Sequence, residues 1–216
     1  MRKALIVYGG WEGHDPQDCA AIYRRWLHED GFSVRMETDI EALAEPAIHD
    51  LSLIIPIYTM SEISEAAVKN LSAAVRAGVG LAGHHGGMSD AFRNAPEYQF
   101  IVGGQWVAHP GGIIDYTVDV ALPDDPIMAG IKSFPYRSEQ YYMHVDPANE
   151  VLATTTFSGE HADWTAGVVM PVAWKRRHGL GRVFHSTLGH SVKEFEVDEM
   201  ATLLRRGVNW AAREEA

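Results

Sequence analysis

The chain has 216 residues, is 46% hydrophobic, and carries 18 Lys and Arg against 29 Asp and Glu, a formal net charge of -11. That composition supports a sizeable core and excludes a disordered chain. The acidic balance excludes ready binding to nucleic acid, whose phosphates need clustered cations, and to anionic membrane surfaces. A single cysteine, Cys19, leaves no internal disulfide and no cysteine-rich zinc site.

ALIVY (4–8) is a short apolar run rich in β-branched residues and ends at Gly9-Gly10. It is too short for a signal core, which needs ~7–15 residues, and reads as a buried parallel strand. No stretch approaches the ~20 apolar residues of a membrane helix, so a cytoplasmic setting is expected. Asp15-Pro16 suits a helix start, Cys19, Ile22, Tyr23, Trp26 and Leu27 share a helical face, and Gly31 suits the C′ position. FSVRME (32–37) and LSLIIPIY (51–58) read as strands, and Thr59-x-x-Glu62 resembles a capping box. Ile63, Ala67, Leu71, Ala74 and Val75 then form a helical stripe, closed by Gly78, before a fourth strand, VGLAG (79–83). These are βαβ units and predict a parallel sheet with right-handed crossovers.

The pattern changes after residue 95. IIDYTVDVAL (113–122), SEQYYMHV (138–145), EVLATTT (150–156), GVVMPVAW (167–174) and GRVFHSTLG (181–189) all read as strands, and a helix follows from Glu196. The expectation is an α/β chain, one domain over residues 1–216, with a mainly parallel central sheet, helices on both faces and a strand-rich C-terminal half.

In an open parallel sheet, ligands bind beyond the carboxyl ends of the strands. That rule sorts the 11 histidines. His14 follows the first strand, His84 and His85 the fourth, and His190 the last; Tyr58 and Thr59 end the third. The sequence GLAGHHGGMSDAF (80–92) has the length and glycines of a strand-turn-helix elbow, the device that lifts a nucleophile above a sheet. Here it carries imidazoles, which serve as acid/base groups or metal ligands. In SEQYYMHV, alternation puts Glu139 and Tyr141 on one face and Tyr142 and His144 on the other. Glu139 with the rim histidines is a donor set for Zn²⁺ or another divalent ion, or for proton transfer beside a carbonyl. Trp11, Trp106 and Trp164 lie in loops, where flat aromatic faces support sugar rings. Neither a P-loop nor a dinucleotide fingerprint occurs, so no nucleotide cofactor is expected.

YGGWEGHDP, LAGHHGGMSDAF, SEQYYMHVDP and PVAW…GLGRVFHSTLGH, followed by a helix ending VNWAAR, together resemble the ThuA-like, trehalose-utilisation family over nearly the whole chain. The resemblance implies a class I glutamine amidotransferase-like, flavodoxin-like sandwich, with no cysteine at the elbow and hence no glutaminase chemistry. It implies His14, His84, Glu139 and His190 as catalytic residues and as the ligands of a divalent metal, Zn or Mn. His85, Tyr142, His144 and His185 are second choices that join Trp11, Tyr58 and Trp164 on the substrate side. It further implies disaccharide catabolism, a 3-keto-disaccharide substrate, and a functional link to a sugar 3-dehydrogenase. The alternatives are a non-catalytic sugar-binding or regulatory protein and a metal-dependent hydrolase of another substrate. A homo-oligomer is the base-rate expectation.

Overall fold

The computed structural model describes residues 1–214. Its elements in chain order are β1 (Lys3–Gly10), α1 (Pro16–Glu29), β2 (Ser33–Glu37), β3 (Leu53–Thr59), α2 (Glu65–Arg76), β4 (Gly80–His84), α3 (His85–Ser89), α4 (Pro96–Val102) and β5 (Gly104–Ala108). They continue with β6 (Ile113–Val120), β7 (Phe134–Glu139), β8 (Tyr142–Val145), β9 (Glu150–Thr156), β10 (Val169–His178), β11 (Gly181–Ser186) and α5 (Asp198–Ala211). Nine strands form one sheet in the order β2-β1-β3-β4-β11-β10-β9-β6-β7, while β5 and β8 form a separate pair. Contacts from β2 through β11 are parallel, and those from β11 through β7 are antiparallel.

The parallel strands are apolar on both faces because both faces are covered. Ala4, Ile6, Leu53 and Ile55 pack with Tyr23, Trp26 and Leu27 of α1 and Leu204 and Val208 of α5. Leu5, Val7, Ile54 and Leu81 alternate with them and pack with Leu71 and Val75 of α2 and Tyr98 and Ile101 of α4. Since β1, β3, β4 and β11 run in one direction, their carboxyl ends meet at one rim.

Two sequence expectations change. The second helix is capped by Ser64, whose hydroxyl accepts from the Ala67 N–H. The capping box read at Thr59 and Glu62 does not form, because Thr59 still belongs to β3 and its side chain is used elsewhere. SEQYYMHV is not one strand: β7 ends at Glu139, Gln140 and Tyr141 break the run, and β8 pairs with β5 instead. α4 and the short β5 carried too little periodicity to be read, and Ala108 of β5 places His109 directly after it.

Close packing fixes α5 on the sheet. A Cβ on Gly207 would lie 2.3 Å from the ring of the fully buried Phe184. Alanine improves helix propensity by about 1 kcal/mol, but overpacking a core costs about 1–3 kcal/mol. With three ring atoms in the way, the clash wins. Gly207→Ala is therefore expected to be about 1–2 kcal/mol less stable in urea unfolding; an equal or raised midpoint would contradict this packing.

Candidate metal centre

The strand-end rim collects its histidines through backbone geometry. In β4, alternation sends His84 toward the α1 side. There its Nδ1 is 2.9 Å from the Tyr23 hydroxyl and its ring packs against Phe195. The next residue, His85, takes a left-handed conformation with φ of 48°, turns the chain into α3, and stands above the sheet. A non-glycine residue at positive φ is strained, and such strain gathers at functional sites. The elbow glycines do not supply this bend. A Cβ on Gly86 would lie 2.8 Å from His14 Cε1, and one on Gly87 3.0 Å from the Ile57 Cα, so they permit close approach. Asp15 and Met60, following His14 and Thr59, are likewise left-handed.

His14, His85, Glu139 and His190 converge, each offering one ligand atom within 4.8 Å of the others. The rings of His14 and His85 have centroids 4.6 Å apart, and those of His14 and His190 4.9 Å. Glu139 Oε2 lies 3.1 Å from His85 Nε2 and 3.3 Å from His190 Nδ1. Two of the rings are held from behind. His85 Nδ1–H donates to the Thr187 carbonyl at 2.7 Å. A carbonyl only accepts, so Nδ1 carries the proton and Nε2 can present a lone pair. His14 Nδ1 lies 2.9 Å from the Thr59 hydroxyl, which leaves Nε2 facing the group. Outer partners of this kind fix tautomer and orientation in metal-binding histidines.

Among the described residues, His14 Nε2 and His190 Nδ1 are buried without a hydrogen-bond partner. Buried polar atoms are normally paired, because each orphan costs roughly 1–3 kcal/mol. Here the orphans face one another and a carboxylate. Burial, with the neighbouring His85 and His190, pushes His14 down to about 2, so its ring is neutral. Burial tends to raise the Glu139 carboxyl, but the adjacent His190 and His85 rings outweigh it and hold Glu139 below the usual range. Glu139 in turn raises His190 against the opposing effect of burial. Unpaired nitrogens of His14 and His190 beside an ionised oxygen call for a proton or a cation between them. Ligands at about 2.0–2.1 Å around a tetrahedral ion are about 3.4 Å apart, close to the two Glu139 separations. Three imidazoles and a carboxylate thus fit Zn²⁺ or Mn²⁺.

Other side chains border this group. The Tyr141 hydroxyl lies 2.7 Å from His85 Nε2, and its ring stacks on His85. His109 Nδ1 lies 3.5 Å from Glu139 Oε2, buried and without a hydrogen-bond partner; burial lowers its pKa. Trp11, 45% exposed, sets its ring edge-on to His14 at 4.6 Å. His109 and Tyr141 were not among the sequence candidates, although Tyr141 had been placed on the Glu139 face. The one available signal for His109 was a histidine in a Pro-Gly-Gly turn.

The structure does not bring the remaining candidates to the group. His84 stays with Tyr23, so the position expected of it belongs to His85. The Tyr58 hydroxyl donates to the Thr38 carbonyl, and its ring stacks on Phe92. Tyr142 packs on Phe157, His144 is exposed on β8 opposite Gln105, and His185 is buried against Trp174. Trp164 is 82% exposed in a short 3-10 turn (Asp163–Thr165).

Fold and site define an α/β protein with a His/Glu group at the carboxyl rim of its parallel strands that could hold a divalent cation. The chain belongs to the ThuA, trehalose utilisation family, whose model matches residues 3–211. It is similar to ThuA-like proteins from Bacteroides uniformis ATCC 8492 (19% identity, 97% of this chain and 91% of that one, TM-score 0.82) and Parabacteroides merdae ATCC 43184 (19% identity, 100% and 92%, TM-score 0.78). A cytoplasmic protein from Salmonella typhimurium LT2 shares the fold more distantly (13% identity, 98% and 100%, TM-score 0.66). At these identities the likenesses establish the fold. No curated protein matches the chain. Among the described residues, no helix is long and apolar enough to cross a membrane. Family membership places the chain in sugar metabolism.

The two adjacent histidines give a sharp contrast. Purified protein equilibrated with Zn²⁺ or Mn²⁺ should bind about one ion per chain and melt at a higher temperature, since a ligand held only by the folded state stabilises it. His85→Ala should lose the ion. His84→Ala should keep it, while melting lower because Tyr23 loses its partner. Retention of metal by His85→Ala, or its loss from a folded His84→Ala, would overturn the assignment.

Proposed function

We propose that this protein is a metal-dependent enzyme of carbohydrate catabolism acting on a keto-sugar, most naturally a 3-keto-disaccharide of the trehalose type. The observation that carries the reading is the set of orphaned imidazole nitrogens facing an ionised carboxylate, in a chain of the trehalose utilisation family. A divalent cation held by His14, His85, Glu139 and His190 would supply Lewis-acid polarisation of the ketone. A ketone acidifies the adjacent C–H, so the reaction needs a proton acceptor and a donor to the developing oxyanion.

His109 supplies the acceptor. Its ring reaches the group, Nδ1 is free of hydrogen bonds, and burial keeps it neutral. It replaces His84 in that role, because His84 is turned away. Tyr141 supplies the donor: burial raises its pKa well above the ordinary range, so the hydroxyl stays protonated. The C–H electron pair becomes the double bond of an enediol, and the proton rests on His109. Return of that proton to the former carbonyl carbon gives the isomerised keto-sugar. Expulsion of the glycosidic oxygen from the neighbouring carbon gives cleavage instead. Trp11 offers an exposed ring at the rim for an apolar sugar face. We read the fold as a class I glutamine amidotransferase-like, flavodoxin-like sandwich in which His85 stands at the elbow, so glutaminase chemistry is absent. The substrate would come from a dehydrogenase oxidising the sugar at its 3-position, in the cytoplasm.

The test uses 3-keto-trehalose with the metal-loaded protein, followed by NMR. Conversion is expected in the wild type, and His109→Ala should lower kcat by about 10²–10⁴-fold with metal content unchanged. Saturable binding with no conversion would contradict the enzyme reading and favour a sugar-binding protein.

A further inference from the structure

A cleft of about 570 Å³ runs along β6 and β7, bordered by Thr156 of β9 and the loop carrying Ser158 and Glu160. Ligand pockets typically run about 300–1,000 Å³. Its orientation follows from register. Ile113 pairs with Glu139, Asp115 with Arg137, and Thr117 with Pro135. Directly paired residues share a face, and every second residue along a strand does too. So Ile113, Asp115, Thr117 and Arg137 stand on the face that carries the Glu139 carboxylate. The opposite face holds Val118, Phe134 and Tyr136 in the core. The cleft reaches Ile113, the register partner of Glu139, and Gln140, the residue after it, and from there follows β6 to Asp119, roughly 20 Å at about 3.3 Å per residue.

We propose that this cleft holds the part of the substrate beyond the reacting ring, and that it selects a neutral, polyhydroxylated unit such as a second sugar ring. The inference rests on the keto-sugar reading of the metal centre. Three features carry it. The cleft comes up to both backbone neighbours of Glu139, its register partner Ile113 and the following Gln140. Its walls are dense in short hydrogen-bonding side chains, among them Thr117, Gln140, Thr156 and Ser158, while Ile113, 43% exposed, offers an apolar contact at the mouth. Its charge excludes an anion: Asp115, Asp119 and Glu160 face a single cation, Arg137, which is already paired with Asp115 at 2.7 Å. A phosphorylated sugar would meet a net negative wall.

Direct binding to the purified protein, read by calorimetry or ligand-observed NMR, tests this without turnover. The probes are trehalose, glucose and trehalose 6-phosphate. Trehalose should bind about tenfold more tightly than glucose, the loss expected when a few hydrogen bonds are given up. Thr117→Trp, which fills the cleft from an exposed strand position, should abolish that difference. Trehalose 6-phosphate should bind more weakly than trehalose, and Glu160→Arg, in the loop, should narrow the gap. If Thr117→Trp fails to fold, the Glu160→Arg comparison decides. Equal binding of trehalose and glucose, or indifference of the gap to Glu160→Arg, would overturn the cleft assignment. Keto-sugar turnover without this ring preference would remove the cleft and leave the enzyme reading. The ring preference without turnover would do the reverse.

Discussion

The left-handed turn at His85 is the constraint on which the site depends. The pleat of β4 leaves no freedom in where consecutive side chains point, so His84 and His85 must part company. His84 enters the apolar layer beneath α1 and takes the Tyr23 hydroxyl. His85 accepts a strained φ, and the next residues pack so tightly on Ile57 and His14 that only glycine fits. One backbone torsion thus separates a buried structural histidine from one that stands in the rim group.

Around His85 the rim is built by convergence of chain ends distant in sequence. β1 delivers His14, β11 delivers His190, and β3 ends at Thr59, which braces His14. β7 approaches from the far edge of the antiparallel half and ends at Glu139. The break after Glu139 lets Tyr141 turn onto His85 while β8 leaves to pair with β5. Three imidazoles lean on one carboxylate oxygen, and among the described residues nitrogens of His14, His109 and His190 are unpaired. Hydrophobic burial on both sheet faces sustains such a cost, because the rim is the one place where the core does not require apolar side chains. A cation held there would pair the nitrogens of His14 and His190.

Much of this was legible in the chain. Uninterrupted β-branched runs marked the parallel strands, the strand-end rule picked His14, His84, His85 and His190 from 11 histidines, and the polar SEQYYMHV stretch brought in Glu139. The choice between His84 and His85 was not legible. It depends on where the strand stops and which residue takes positive φ, and two identical side chains carry no signal about either. His109 was hidden because β5 is five residues long and lacks alternation. The bracing by Thr187 and Thr59 was hidden because backbone and hydroxyl partners have no periodic signature. The single strand read through 138–145 failed for a related reason: Tyr141 and Tyr142 both favour strands, so propensity concealed the break that aims Tyr141 inward.

X-ray absorption at the metal edge of the zinc-loaded protein tests the central claim most directly. The account predicts a first shell dominated by imidazole nitrogen with one carboxylate oxygen, at about 2.0–2.1 Å, and multiple-scattering features of about three histidines that lose one ring in His85→Ala. A shell of water and carboxylate oxygens without imidazole scattering, or one unchanged by His85→Ala, would contradict it.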